Sequence, residues 1–373
     1  MLYYPYINTN FGVFHGSTSS KNGVKGFWIG GSVVPEGGIL VKRKIFDRIN
    51  SLLSRSHVAI AGPRQSGKST LLKQLAEHHS KSAPALYLSL EGVSGKEKEY
   101  YSSTTFVADF LRLLNEAAAE AGLQSLVPDD EGGLRAVFNA LPQRCRLFLD
   151  EHSSVSLANP GFLHALRSVL EMKRRDVRVV LGDLSHKSQY ADGYTSSPFN
   201  IAENIRLGDF SFQETVDFVN LGFHVNGFSC DLSDLVYFWS GGDPYLTNKL
   251  GIAVVEHAQA NDIKVITNAD VNGCATRIVE NGNENRWLTL IKYLQNELQS
   301  DVVALRDLRA VLHRQPLPFY EQGSVELLAA LGFITSSHYD DLYCTSSGNC
   351  VPRNKMTEMF LRRYFGYRQS SDV

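Results

Sequence analysis

The run His57-Val-Ala-Ile-Ala-Gly62-Pro-Arg-Gln-Ser-Gly67-Lys68-Ser69-Thr70 constrains the fold more than any other stretch. An apolar β-type segment leads into G-x-x-x-x-G-K-S, and the helix-forming Leu71-Leu72-Lys73-Gln74-Leu75-Ala76 follows. Strand, glycine loop and helix in that order make a P-loop. Gly62 and Gly67 let the backbone curl so that successive N–H groups face one anion. The helix that begins there points its positive dipole end the same way. Lys68 is placed to reach the β- and γ-phosphates of a nucleoside triphosphate, and Ser69 to hold Mg²⁺. Gln65, Ser66 and Thr70 complete the expected phosphate-binding set.

A chain of 373 residues suggests two or three domains and a large core. Its net charge of −2 calls for neither nucleic acid nor acidic lipid. No apolar run approaches ~18 residues, so no membrane segment is expected. The start, Met1-Leu-Tyr-Tyr-Pro-Tyr, lacks the basic and apolar regions of a signal peptide. Five scattered cysteines fit a reducing compartment, and a cytoplasmic location is the expectation. Cys344 and Cys350 lie close together, but no partner pair has metal-ligand spacing. The stretch between them reads as a plain turn.

The pattern divides the chain into four parts. Residues 1–37 form an N-terminal arm whose Tyr3, Tyr4, Tyr6, Phe11 and Phe14 are too aromatic for a solvated tail. It either folds back on its own domain or docks on another protomer or partner. Residues 38–210 alternate strand and helix, as a parallel sheet requires. Strands are expected at Val58–Ala61, Ala85–Leu90, Arg146–Asp150, Arg178–Gly182 and Asn204–Leu207. Leu147-Phe148-Leu149 reads as a strand buried on both faces. Residues 211–268 read as a helical lid, opened by the capping box Ser211-Phe-Gln-Glu214 and interrupted at Gly241-Gly242-Asp243-Pro244. Residues 269–373 have helices at Trp287–Gln299, Ala304–Leu312 and Val325–Leu331. Strands at Phe333–Thr335 and Leu342–Cys344 follow around Ser336–Asp341, and a last helix covers Lys355–Phe365. Three helices followed by a β-hairpin is winged-helix order.

Arg146-Leu-Phe-Leu-Asp150-Glu151-His152 has the form of a Walker B element. A hard cation wants oxygen ligands, which assigns Asp150 to the Mg²⁺ side. Glu151 is the candidate to orient and polarise the attacking water. Asp183 ends the next strand, where open α/β sheets place their ligands. It reads either as a sensor of the γ-phosphate or as the N-cap of a following turn.

Together these residues resemble the AAA-like ATPase domain family, close to the STAND class of signal-transducing NTPases. Phe27-Trp28-Ile29-Gly30-Gly31-Ser32-Val33-Val34-Pro35 and then Val41-Lys42-Arg43 are similar to that family's opening motif. Ser197-Pro198-Phe199-Asn200-Ile201 and Leu207-Gly-Asp209-Phe210 match the stretch ahead of its lid. Trp239-Ser-Gly241-Gly242-Asp243-Pro244-Tyr245-Leu246-Thr247-Asn248-Lys249-Leu250 resembles its longest signature. The similarity covers residues 26–260, and more loosely the winged helix. It implies that Val41 and Arg43 lie beside adenine and that Pro244 closes over the nucleotide from the lid. One departure matters. The segment Leu184–Asn204 carries Lys187 but no arginine, and Arg174 and Arg175 end the preceding helix instead. A trans-acting arginine finger is therefore not assured.

The expected fold is α/β, a P-loop NTPase core of AAA+/STAND type with a helical lid and a winged-helix domain. The expected function is an ATP- and Mg²⁺-dependent molecular switch, a homo-oligomer that passes its change to a separate protein effector. Phage defence is one setting in which such switches occur. The alternative is a DNA-handling ATPase that reads DNA with the winged helix. Residues 284–373 carry ten bases and ten acids, which is poor for a DNA reader. Asp340 and Asp341 sit where a phosphate-contacting wing wants Lys or Arg.

Overall fold

The computed structural model describes residues 24–28, 38–90, 103–127, 133–152, 161–171, 176–183, 201–229, 231–320, 323–340 and 345–367. The expectations for Tyr3–Phe14, Ile29–Pro35, Arg174, Arg175, Leu184–Asn200, Asp341 and Leu342–Cys344 lie outside the described residues. The chain separates into two compact units, Ile45–Gly62 with Lys68–Leu207, and Met1–Lys44 with Pro63–Gly67 and Gly208–Val373.

The first of these is the α/β unit. Its elements are α1 (Ile45–Leu53), β1 (His57–Ala61), α2 (Lys68–Ser80), β2 (Ala85–Ser89), α3 (Ser103–Glu120), α4 (Gly133–Asn139), β3 (Arg144–Asp150), α5 (Gly161–Leu170), β4 (Asp176–Asp183) and β5 (Ala202–Arg206). The five strands form one sheet in the order β2-β3-β4-β1-β5, every pair parallel. All five expected strands form, with ends displaced by one or two residues. Leu147, Phe148 and Leu149 are fully buried, as a strand covered on both faces should be. Phe106, Phe110, Phe138 and Phe162 pack against one another beside the sheet, Phe106 stacked on Phe110 and the other pairs edge-on or tilted.

The other unit is mostly helical. It contains α6 (Phe212–Val225), α7 (Ser233–Ser240), α8 (Pro244–Ala260), α9 (Asn268–Glu280), α10 (Asn285–Asn296), α11 (Val302–Leu312) and α12 (Gly323–Ala330). The hairpin β6 (Ile334–Asp340) and β7 (Thr345–Pro352) follows, and then α13 (Lys355–Tyr364). The capping box forms: Glu214 N donates to Ser211 Oγ, and Ser211 N donates to Glu214 Oε2. Gly241 caps α7 with φ 58°, and Asp243 caps α8 by accepting from Tyr245 N and Leu246 N. Gly242 has no room for a side chain, because a Cβ there would meet Phe210 O at 2.1 Å. The Gly-Gly-Asp-Pro run thus has a separate physical reason at each position. Trp287 stacks on Phe360 at 4.7 Å in the core of this unit.

The hairpin corrects one expectation. β6 and β7 pair antiparallel from Ile334↔Pro352 to Asp340↔Thr345. Most of the connection expected over Ser336–Asp341 is strand, and so is the stretch after Cys344 that reads as a turn. Its Ser, Gly and Asn residues carry no apolar alternation. The ladder is held by backbone bonds, with Phe319 N donating to Gly348 O and Cys350 N donating to Leu317 O on the far side.

Candidate phosphate and metal site

The carboxyl edge of the sheet gathers the acids. Ala61 is in register with Asp183, and Asp150 with Gly182, so β1, β3 and β4 end side by side. Gly62 N donates to Asp183 O at 3.1 Å, which ties the start of the P-loop to the end of β4. Lys68 opens α2, is buried, and donates from Nζ to Gly62 O at 2.6 Å. Ser69 and Thr70 follow in the same first turn.

Asp150 is 1 % exposed. Its Oδ2 accepts from the Tyr87 hydroxyl at 3.0 Å, while Oδ1 is buried with no hydrogen-bond partner. An orphaned buried acceptor costs roughly 1–3 kcal/mol, which a bound cation would recover. Gly182 keeps the space beside it open, since a Cβ there would lie 3.2 Å from Oδ1 and 2.7 Å from Leu72 Cδ1. Burial raises the pKa of Tyr87 far above that of a free phenol, and the Asp150 charge adds to it; a hydrogen bond with Ser69 works the other way. Tyr87 therefore stays protonated and links the two residues expected to serve the metal. A serine hydroxyl and one carboxylate are hard oxygen donors that suit Mg²⁺ completed by water and phosphate. Among the described residues no group of three or more His, Cys, Asp or Glu could form an all-protein metal cage.

Glu151 is half-buried, with φ 56° in the left-handed region, and its N–H donates to Gly182 O at 2.9 Å. A bulky residue held there stores on the order of 1–2 kcal/mol, a kind of strain found at functional turns. His152 is fully buried, with Nε2 3.3 Å from Asp183 Oδ2. Burial lowers its pKa and Asp183 opposes that shift. The Asp183 carboxylate thus meets a histidine.

The turn Pro63–Gly67 belongs to the other unit. Gln65 (φ 64°) and Gly67 (φ 86°) are left-handed, while Arg64 and Ser66 between and before them are not. Such alternation lines backbone N–H groups around one anion. Arg286 Nη1 donates to Arg64 O at 3.2 Å and to Gln65 Oε1 at 3.3 Å. Arg43 Nη1 donates to Ser66 O at 3.4 Å, and its Nη2 donates to Gly208 O and Asp209 O. Arg43 also pairs with Glu214 at 3.5 Å and lies over the Phe210 ring. Its guanidinium is committed to the protein, and Val41 beside it is buried. Pro244 is buried at the first position of α8.

Arg286 belongs to a set of four charges, of which Arg286, Asp243 and Arg353 are buried and Asp209 is half-buried. Asp243 pairs with Arg286 at 3.0 Å and with Arg353 at 3.1 Å, and Arg353 also holds Asp209. Burial lowers the pKa of Arg286 and the Asp243 charge opposes that shift, while two arginines and two aspartates balance in formal charge. Sequence reasoning counted Arg286 and Arg353 only among the bases of residues 284–373 and passed over Tyr87. A signal for Arg286 existed: Arg286, Leu290 and Leu294 repeat at helical spacing on the buried face of α10.

Residues 54–216 match the family profile described as AAA domain. No curated protein matches the chain. Among solved structures, the Thermotoga maritima RuvB Holliday junction branch migration motor is 12 % identical, with TM-score 0.48 over 88 % of this chain and 96 % of that one. The Aeropyrum pernix ORC1 protein in complex with DNA is 12 % identical, with TM-score 0.44 over 87 % and 93 %. Cdc6p from Pyrobaculum aerophilum is 15 % identical, with TM-score 0.44 over 88 % and 81 %.

Proposed function

We propose that this chain is an ATP-binding and ATP-hydrolysing molecular switch. The observation that carries the reading is Asp150, buried at the edge where the P-loop begins, with one oxygen held by Tyr87 and the other lacking a hydrogen-bond partner. Lys68 and the N–H groups of the turn bind the phosphates. Ser69 and Asp150 hold Mg²⁺, which when bound neutralises charge on the β- and γ-phosphate oxygens. Glu151 orients a water for in-line attack and accepts its proton. Val41 and Pro244 serve the base, while Arg43 braces the turn rather than the ligand. Hydrolysis changes the conformation of residues 208–373 and, through it, self-assembly or contact with a separate protein effector. Phage defence fits such a switch as a setting.

Residues 285–352 have the helix–helix–helix–hairpin order of a winged helix, and a protein partner suits it better than DNA. Burial takes Arg286 and Arg353 out of the basic count and Glu284 and Asp307 out of the acidic one, so the balance stays even. Duplex DNA should therefore bind residues 269–373, within the full chain, more weakly than ~1 μM at ~150 mM salt. The deciding experiment follows ATP turnover with Mg²⁺, together with mass by light scattering in ADP and in a non-hydrolysable ATP analogue. Turnover that Lys68→Ala abolishes, with a mass or shape that differs between the two nucleotides, is the expected result. Absence of ATP binding by calorimetry refutes the reading, and nanomolar, sequence-selective DNA binding replaces it with the DNA-handling one.

A further inference from the structure

We propose that Arg286 is a positioning residue for nucleotide, holding the P-loop turn in its anion-binding shape from the carbonyl side with the help of Arg43. The inference rests on the nucleotide reading above. A trans peptide is planar, so the C=O of one residue and the N–H of the next point in opposite directions. Arg286 draws the Arg64 carbonyl toward itself at 3.2 Å, and Arg43 draws the Ser66 carbonyl at 3.4 Å. The N–H groups of Gln65 and Gly67 are thereby turned away from the arginines. Those are the amides that the alternating φ values arrange around one centre. The same guanidinium of Arg286 takes the Gln65 side-chain oxygen, which steadies a residue whose φ of 64° is costly without glycine.

The anchor of the clamp is rigid. Arg286 spends Nη1 on the turn and Nη2 on Asp243, at 3.0 Å. Asp243 is held in turn by Arg353 and by two N–H groups of α8. Gly332 closes over both arginines, because a Cβ there would lie 2.9 Å from Arg353 Nη1 and 3.0 Å from Arg286 Nη2. Only a planar fork of fixed donors can serve the turn and the carboxylate together; an ammonium can reach one of them. By linkage, a phosphate that needs the clamped turn also stabilises the clamp. The first turn of α10 and the cap of α8 therefore register whether nucleotide is bound.

The test compares the parent protein with Arg286→Lys, which keeps the charge and loses the fork. Calorimetry should show Kd for ATP·Mg²⁺ and ADP·Mg²⁺ rising together by ~10-fold, the loss expected from one charge-assisted hydrogen bond. KM should rise with kcat unchanged, because the turn grips ground state and transition state alike. A residue that merely stabilises the fold would lower the melting midpoint and leave Kd alone. A second measurement needs no variant: amide exchange in the parent should slow at residues 243–246 and 284–288 when ADP or ATP is added. Parental Kd and KM in Arg286→Lys, or no added protection in the parent, overturns the clamp and leaves the nucleotide reading standing. A parent that binds neither nucleotide overturns both.

Discussion

The Tyr87 hydroxyl donates to Asp150 Oδ2 at 3.0 Å, and this single bond fixes which oxygen of the carboxylate is left over. Two strands away from the P-loop strand in sheet order, β3 delivers an acid whose orientation is set before any cation arrives. The phenol is kept protonated by burial and by the acid itself, so toward the carboxylate it donates. That polarity leaves Oδ1 as the outward-serving atom of Asp150.

Removing the phenol hydroxyl should therefore act on both stability and metal use. Tyr87→Phe should cost about 1 kcal/mol, or roughly 2–4 °C in melting midpoint. It should also raise the Mg²⁺ concentration needed for half-maximal ATP turnover, because the carboxylate is no longer preset. Melting curves and a Mg²⁺ titration of turnover check the two effects. An unchanged Mg²⁺ midpoint would make Tyr87 a packing residue only.

Glu151→Gln should leave nucleotide affinity intact while slowing hydrolysis by ~10²-fold or more. The amide keeps size and backbone conformation and loses the basic oxygen. Single-turnover hydrolysis alongside calorimetry separates the two quantities. Parental turnover in this variant would assign the water to another group.

The α/β unit was legible because β2, β3 and β4 carry apolar stretches closed by a polar residue, and because glycine and lysine spacing marks the P-loop. The hairpin was less legible. Thr345–Pro352 has no alternation to read, since its ladder depends on the backbone of β6 and of residues 317–319. Arg286 and Tyr87 were hidden for a different reason. Each acts through one partner far away in sequence: Asp243 lies 43 residues before Arg286, and Asp150 lies 63 after Tyr87. No local pattern encodes such a pair, although Arg286 does break the apolar stripe of its helix. Asp209 and Asp243, in contrast, fall inside stretches that carry the family resemblance, and the structure gives both the same task of holding Arg353.

Stability should fall as the pH drops from neutrality, partly through His57. Its Nδ1 accepts from Val179 N at 3.3 Å, which needs the neutral ring. Burial first, and then the charge of Arg178, lowers its pKa to about 4. The unfolded chain takes up that proton near pH 6.5, so the contribution is complete above about 6.5 and is lost as pH falls toward 4. His79, lowered to about 4 mainly by burial, adds a slope of the same sign. Melting midpoints of the parent and His57→Gln between pH 7.5 and 4.5 should show a shallower decline in the variant. Parallel curves would remove His57 from the account.

Pro244 offers the last prediction, which separates a switch from a passive nucleotide binder. It is the first residue of α8, directly after Asp243, whose carboxylate caps the helix and pairs with Arg286 and Arg353. The ring is proposed to pack on adenine, with Val41 fixing the edge of the base. Losing one apolar face of this size should cost about 1–2 kcal/mol of nucleotide affinity. The phosphate-binding turn is untouched by the change, so ATP and ADP should weaken by the same factor. The population of the nucleotide-closed state should fall too, and any assembly that requires closure with it. Pro244→Gly keeps the Asp243 cap and removes the ring. Calorimetry with both nucleotides and protease sensitivity across residues 200–270 read the two effects. Parental affinity together with parental protection would mean that residues 208–373 respond to nucleotide through the Arg286 side of the site and not through Pro244.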